Sequence, residues 1–269
     1  MTTRVALPSR GRLRDGVVRL LEHAGYPAAP FPGTEFLEMR PRDAGAWLGT
    51  GRIAGAFIST DIVLEEGLGN LPAVPLGLAR SDLIVASRDD DGRERLADLA
   101  GATVATHLPQ ATARWFARAG VPVSVVTMGG SLEGVCAAGL ADAIVDLRET
   151  GTSLARNRLR VLDVIAGCEA LFVHQPGDAL AGLVLRIGAV LQARDERYVM
   201  LHLAPDRMGD LTAIFPGLAA PTVLPLAGRD DLVAVHLVVS ARAFWVHLAK
   251  LRELGASGIV ALPPDALLP

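Results

Sequence analysis

Two cysteines in 269 residues, Cys136 and Cys168, both in apolar stretches without metal-ligand spacing, exclude a disulfide scaffold and a thiolate zinc site. A reduced, cytoplasmic protein with buried thiols is expected. The six histidines are scattered, with no His-x-x-x-His or comparable pairing, so no dedicated metal site is expected either. Positive charge is not in excess: Lys and Arg number 26 against 29 Asp and Glu, and the net charge of −3 speaks against nucleic acid as a partner. No apolar run approaches the ~18 residues that would span a bilayer. The most apolar run, Ala179 to Leu191, carries Arg186, and Met1 to Pro8 lacks the apolar core of a signal peptide. No membrane role is expected. Repeats and low-complexity segments are absent, and the one marked charge run, Arg88 to Arg93, reads as a solvated turn.

What is present is a hydrophobic content of 51%, enough for a sizeable core in one large or two to three small domains. Strands and helices alternate through the first two-thirds, the pattern of an α/β body with a mostly parallel sheet. Strands are expected at Arg4–Leu7, Gly55–Ile58, Leu83–Ala86, Thr103–Thr106 and Val123–Thr127. Helices are expected at Leu13–Ala24, Ala111–Ala119 and Leu132–Ala138. The chain is expected to leave a first lobe near Leu83–Ser87 and to return through Arg160–Ile165 and Ala170–Val173. This gives a two-lobed body over 1–193 whose second lobe occupies about 87–159, with a cleft between the lobes. After the helix Leu180–Gln192 the rhythm changes. Tyr198–Leu203, Arg207–Ile214, Thr222–Leu224, Leu232–Val239, Ala241–Leu254 and Gly258–Ala261 follow the βαββαβ order of a ferredoxin-like unit, so a second domain is expected over 194–269.

The chemistry is most legible between Ala141 and Leu154, where a short apolar strand bounded by acids runs into a glycine- and hydroxyl-rich turn. Gly151 lets backbone come close to an anion, and the N–H groups and hydroxyls of Thr150, Thr152 and Ser153 can surround phosphate oxygens. Asp142, Asp146 and Glu149 can accept hydrogen bonds from sugar hydroxyls. The segment therefore suits a phosphorylated sugar. A strand, an acidic turn and a helix cap would look much the same on their own.

The same segment resembles the phosphoribosyl-pyrophosphate-binding stretch of the ATP phosphoribosyltransferase family, the first enzymes of histidine biosynthesis. Further matches follow in the family's order: Val5 to Leu13, Met39-Arg40-Pro41-Arg42-Asp43, Thr103 to Pro109, Gly130-Ser131-Leu132-Glu133 and Gly139-Leu140-Ala141-Asp142. A tail like that of the long form runs from Phe215-Pro216-Gly217 through Pro221 to Leu226. The resemblance implies a periplasmic-binding-protein-like catalytic body and a ferredoxin-like regulatory domain that binds histidine as inhibitor. It implies transfer of phosphoribosyl from phosphoribosyl pyrophosphate to N1 of ATP, Mg²⁺ arriving with the substrates, and a homo-oligomer, dimer or hexamer.

Such a reaction mainly requires positioning and charge neutralisation, with carboxylates near the developing oxocarbenium-like sugar. Arg10 and Arg12 are expected to reach pyrophosphate or triphosphate, with Arg10 standing where the family usually has Lys. Of Arg40 and Arg42, Arg40 is the expected functional member. Glu133 stands where the family places an acid near the sugar; the competing reading is a capping box around Ser131, which wants its acid one position later. The expected catalytic set is Asp146, Glu133 and Arg10, and the substrate-binding set is Arg12, Arg40, Asp61, Asp142, Glu149, Thr150, Gly151, Thr152 and Ser153. One departure bears on the acceptor. The family's Gly-x-Thr-Gly-x-Asp turn is here Ala56 to Asp61, keeping Asp61 and losing both glycines, with Phe57 the candidate to intrude on the pocket. The alternative is thus a paralogue using the same donor with a different nitrogen heterocycle. A catalytically silent sensor is a third reading, against which the intact 150–153 turn weighs.

Overall fold

The structure, a computed structural model, describes residues 2–215 and 221–268. The chain divides into two compact units: Met1–Arg19 with Phe31–Gly182, and Leu20–Pro30 with Leu183–Pro269.

The first unit holds two sheets. Strands β1 (Thr3–Pro8), β2 (Thr34–Met39), β3 (Gly55–Ser59) and β4 (Ala73–Pro75) alternate with helices α1 (Gly11–His23), α2 (Pro41–Gly49) and α3 (Thr60–Glu66). The chain then builds a second lobe from β5 (Ser81–Arg88), β6 (Thr103–Thr106), α4 (Pro109–Ala119), β7 (Ser124–Thr127), α5 (Leu132–Ala137), β8 (Ala143–Arg148), α6 (Thr152–Arg156) and β9 (Leu159–Cys168). Strand β10 (Ala170–His174) returns to the first sheet. The sheet orders are β2-β1-β3-β10-β4 and β7-β6-β8-β5-β9.

Each sheet has a parallel core, β2-β1-β3 in one and β7-β6-β8 in the other. The strands at the crossings run the other way: β10 is antiparallel to β3 and β4, and β5 is antiparallel to β8 and β9. The sheets are mixed rather than mostly parallel, because a strand that enters a sheet from the other lobe arrives from the opposite end. The crossings lie side by side. Leu76 N–H donates to the Ala170 carbonyl at 2.9 Å, Ala170 N–H to the Leu78 carbonyl at 2.8 Å, and Ser81 pairs with Cys168.

Apolar spacing sets the helices. In α1 the buried Val17, Leu20 and Leu21 share one face, and Gly25 ends the helix at φ 89°. The central strands β3 and β5 are buried along most of their length, as strands covered on both faces must be. Under α5 and α6, Ile84, Ala105, Leu132, Cys136, Ile144 and Leu154 form one buried cluster that seats both helices on the second sheet.

In the second unit α7 (Ala181–Ala193) is followed by β11 (Glu196–Leu203), α8 (Met208–Ile214), β12 (Thr222–Leu226), β13 (Arg229–Ser240), α9 (Ala241–Glu253) and β14 (Ser257–Leu262). This is the expected βαββαβ order, and the antiparallel sheet β12-β13-β11-β14 packs Val199, Leu201, Val235 and Leu237 against Leu211, Phe244 and Leu251 of the helices. Pro216 and Gly217 of the tail motif lie outside the described residues.

Candidate active site

The acidic strand and the hydroxyl turn are one continuous feature. Strand β8 runs Ala143–Arg148, and α6 starts at Thr152 with Gly151 as its N-cap at φ 78°. A side chain is strained at that φ, which is why glycine stands there. The hydroxyls of Thr150 and Thr152 lie 3.1 Å apart at the turn, and the Ser153 hydroxyl donates to Glu133 Oε1 at 2.6 Å. Glu133 belongs to the first turn of α5, and Ser131 before it makes no capping bond, so the capping-box reading falls away. Ser131 instead adopts a left-handed backbone at φ 57°. From the first lobe, the Arg12 guanidinium at the start of α1 pairs with Glu149. Three segments distant in sequence thus meet at the 149–153 turn.

Asp146 sits on β8 just before the turn with 20% of its side chain exposed. Its Oδ1 accepts the Leu147 N–H at 2.8 Å and lies 3.6 Å from His107 Nδ1. Burial foremost pushes the Asp146 carboxyl above the usual range, with Glu133 and Asp61 adding repulsion while the Leu147 N–H and His107 pull the other way. Asp61, in the first turn of α3, is 3% exposed, and its Oδ1 has no hydrogen-bond partner among the described residues. Next to it Thr60 is tied to the crossing, its hydroxyl donating to the Glu169 carbonyl at 3.2 Å and accepting the Glu169 N–H at 3.1 Å. Burial, and then Asp61, push the Cys168 thiol up to about 12, so this cysteine is an inert core residue.

The remaining arginines are less converged. Arg10 and Arg40 are exposed and make no ion pair among the described residues. Arg40 caps α2, and it is Arg42 that points to an acid, lying 3.9 Å from Glu65 Oε1. Sequence reasoning passed over Glu65, because nothing in a single buried-helix glutamate marks it. Its buried carboxylate, on α3 of the first lobe, accepts the Gln110 N–H at 3.1 Å and the Ala111 N–H at 2.8 Å, capping α4 of the second lobe. Arg114 of α4 returns the contact by donating to the Leu64 and Glu65 carbonyls. Removing the acceptor while leaving the buried Ala111 N–H without a partner costs about 1–3 kcal/mol. Glu65→Ala should therefore lower the thermal midpoint clearly, and a midpoint equal to wild type in a calorimetric scan would show that water replaces the carboxylate there.

Asp142 lies apart from the turn, separated from it by the six residues of β8, roughly 20 Å of extended chain. Its oxygens accept the Thr103 N–H and the Arg93 guanidinium, each at 2.8 Å, and chiefly the Thr103 bond holds its carboxyl below the usual range. Arg93 also binds Asp91, whose side chain is only 4% exposed. The 88–93 run is therefore a side-chain knot and not a fully solvated turn.

The altered turn after β3 is absorbed by the fold. Ser59 caps α3 at φ −115°, where any residue fits, and Ala56 is an ordinary buried strand residue. Phe57 points into the core of its own lobe, its ring centroid 4.7 Å from that of Phe172. It does not intrude on an acceptor pocket, and the observation that favoured a different acceptor is gone.

A family model described as ATP phosphoribosyltransferase matches residues 40–187, and one described as HisG, C-terminal domain, matches 193–264. The chain belongs to the ATP phosphoribosyltransferase family. An ATP phosphoribosyltransferase of Maricaulis maris is 32% identical over 98% of this chain and 98% of its own length. One of Gemmatimonas aurantiaca is 33% identical over 99% of each. Among solved structures, the ATP phosphoribosyl transferase (HisG:HisZ) complex of Thermotoga maritima shares the fold, with a TM-score of 0.58 and 24% identity over 69% of this chain and 96% of that one. Full-length matches and the C-terminal domain give the long form. Family membership makes the chain a transferase of the phosphoribosyl group, in the glycosyltransferase class, acting in histidine biosynthesis.

Proposed function

We propose that the 149–153 turn holds the 5′-phosphate of phosphoribosyl pyrophosphate, with the ribose lying over Asp146 and Glu133 and the pyrophosphate turned toward the β1–α1 loop. The observation that carries this reading is the meeting of Arg12, Glu133 and the turn hydroxyls at one place. As N1 of ATP approaches the anomeric carbon, the bond to pyrophosphate lengthens and the sugar gains positive charge. Asp146 and Glu133 stabilise that charge, while Arg10 and Arg12 meet the charge on the leaving group. Exposed and without carboxylate partners among the described residues, Arg10 and Arg40 are available to substrate oxygens. The unpartnered Asp61 oxygen is assigned to the acceptor side of the same cleft. Mg²⁺ would arrive with the substrates, on their phosphates, and neutralise part of the charge on the leaving pyrophosphate. The direct test is incubation of the protein with Mg²⁺, phosphoribosyl pyrophosphate and ATP. Phosphoribosyl-ATP and pyrophosphate are the expected products by mass, and failure to form them while another heterocycle reacts would overturn the acceptor.

In this reading the catalytic region spans 1–193, its second lobe about 87–159, and 194–269 is the regulatory domain of a cytoplasmic homo-oligomer, dimer or hexamer. Histidine binding there should change activity by about 5- to 150-fold, the usual range of coupling between sites. The matched C-terminal domain supports the assignment. Turnover by the full-length protein, titrated to millimolar histidine, should fall within that range. Indifference to histidine, in turnover and in calorimetry, would remove the regulatory role from this domain.

A further inference from the structure

His107 has no role in the reading above. It follows β6 directly, and because Thr106 is in register with Val145 of the parallel strand β8, His107 comes level with Asp146 at the strand ends. These carboxyl ends of parallel strands are where α/β sheets receive ligands.

Its placement is fixed from both sides. The buried Thr106 hydroxyl donates to the Val145 carbonyl at 2.9 Å and accepts the Leu108 N–H at 3.0 Å, so the residues before and after His107 are pinned to β8. The ring then stands with Nδ1 3.6 Å from Asp146 Oδ1, the ring 29% and the carboxylate 20% exposed. That distance is beyond a hydrogen bond and within ion-pair reach.

The other side chains acting on Asp146 are acids: Glu133 from α5 and Asp61 from α3, with the thiol of Cys168 at the end of β9 set against Asp61. The Leu147 N–H is the one backbone donor to Oδ1. Among the described side chains set against Asp146, His107 is the one able to carry positive charge. We propose that His107 is a positioning residue for the transfer, its ring, where protonated, pairing with the Asp146 carboxylate and favouring the charged form that serves the ribose. The inference rests on Asp146 serving the ribose, as read above.

The position does not require histidine for packing, since the ring is partly exposed and its neighbours are held by their own bonds. An opposite charge at this distance favours the charged form of a carboxyl, and partial exposure weakens the effect. His107→Gln should therefore displace the acid limb of the kcat profile upward, a loss of roughly tenfold on the limb itself, with the plateau and both KM values nearly unchanged. His107→Lys, which restores a cation, should return the limb to the wild-type position or below. The full-length enzyme carries the test, with kcat and KM measured across the acid range for wild type and both variants. An unmoved limb in His107→Gln overturns the proposal. So does a loss that is equal at every pH and shared by His107→Lys, since that marks a packing role. Asp146→Asn separates the two readings: if it keeps full turnover, the assignment of Asp146 has failed. If it is impaired while His107→Gln leaves the limb in place, only the role of His107 has failed.

Discussion

Gly151→Val and Thr152→Asp should each abolish useful binding of phosphoribosyl pyrophosphate while leaving the fold intact. Gly151 holds φ 78°, where a branched side chain is strained by about 1–2 kcal/mol. An added Cβ would meet nothing closer than Arg148 Cδ at 3.8 Å, so the protein has room to fold. The loss falls on the ligand, because the valine methyls occupy the face by which backbone approaches phosphate. Thr152→Asp acts differently: it keeps the backbone and places a carboxylate among oxygens that carry the same sign. Repulsion at ~4 Å in a partly screened site is about 4 kcal/mol, nearly a thousandfold in affinity. Titration calorimetry on variants with wild-type circular dichroism checks both. Unchanged donor affinity in the two proteins would move the 5′-phosphate elsewhere.

The second large effect is expected at Asp146. If its charge acts on the sugar in the transition state, Asp146→Asn should lower kcat on the order of 10²-fold with a smaller change in KM for the donor. The substitution keeps size and can still accept the Leu147 N–H, so it tests charge and not shape. Asp89→Asn and Asp90→Asn are the proper controls, since both lie in the turn at the far end of the second lobe's strands. Asp91 is a poor one: its side chain is buried against Arg93, and its loss would confuse stability with turnover. Were either control to cost more turnover than Asp146→Asn, the catalytic assignment would be misplaced.

How much of this was legible in the sequence depended on the kind of signal. Helices α1, α4 and α9 carry apolar residues at helical spacing over eleven or thirteen residues, and all were read correctly in type. The βαββαβ order of the C-terminal unit was likewise readable. Strand β2 was missed because Glu35 and Glu38 dilute its alternation, and α3 because seven residues are too few to show a period. The antiparallel crossings were also hidden, because strand direction follows from where the chain comes from and leaves no mark on composition. In the site, glycine and hydroxyls announced the 149–153 turn through local chemistry. Asp142 looked equivalent to Asp146, being an acid beside the same strand, yet the length of β8 puts it at the other end. His107 and Glu65 act only through partners from distant segments, and a single chain without its fold does not display them. Phe57 was suspected of crowding the acceptor because the loss of glycine is visible, whereas the inward direction of the ring is set by Phe172, more than a hundred residues later.

The side-by-side crossings carry a consequence for synthesis. Strand β10 lies between β3 and β4 in the first sheet, so residues 170–174 fill a gap in a lobe whose other strands end at residue 75. Everything from 81 to 168 is built in between. On the ribosome, the second lobe is contiguous and can complete itself first, while β3 is left as an open sheet edge and β4 without a partner until β10 is made. At ~5–20 residues per second the wait lasts about 5–20 seconds, long enough for an open edge to recruit another chain. Proline in the three-residue β4 makes it a poor template for that error. During chain growth β4 is thus guarded by its brevity and its proline, whereas β3 depends on the arrival of β10.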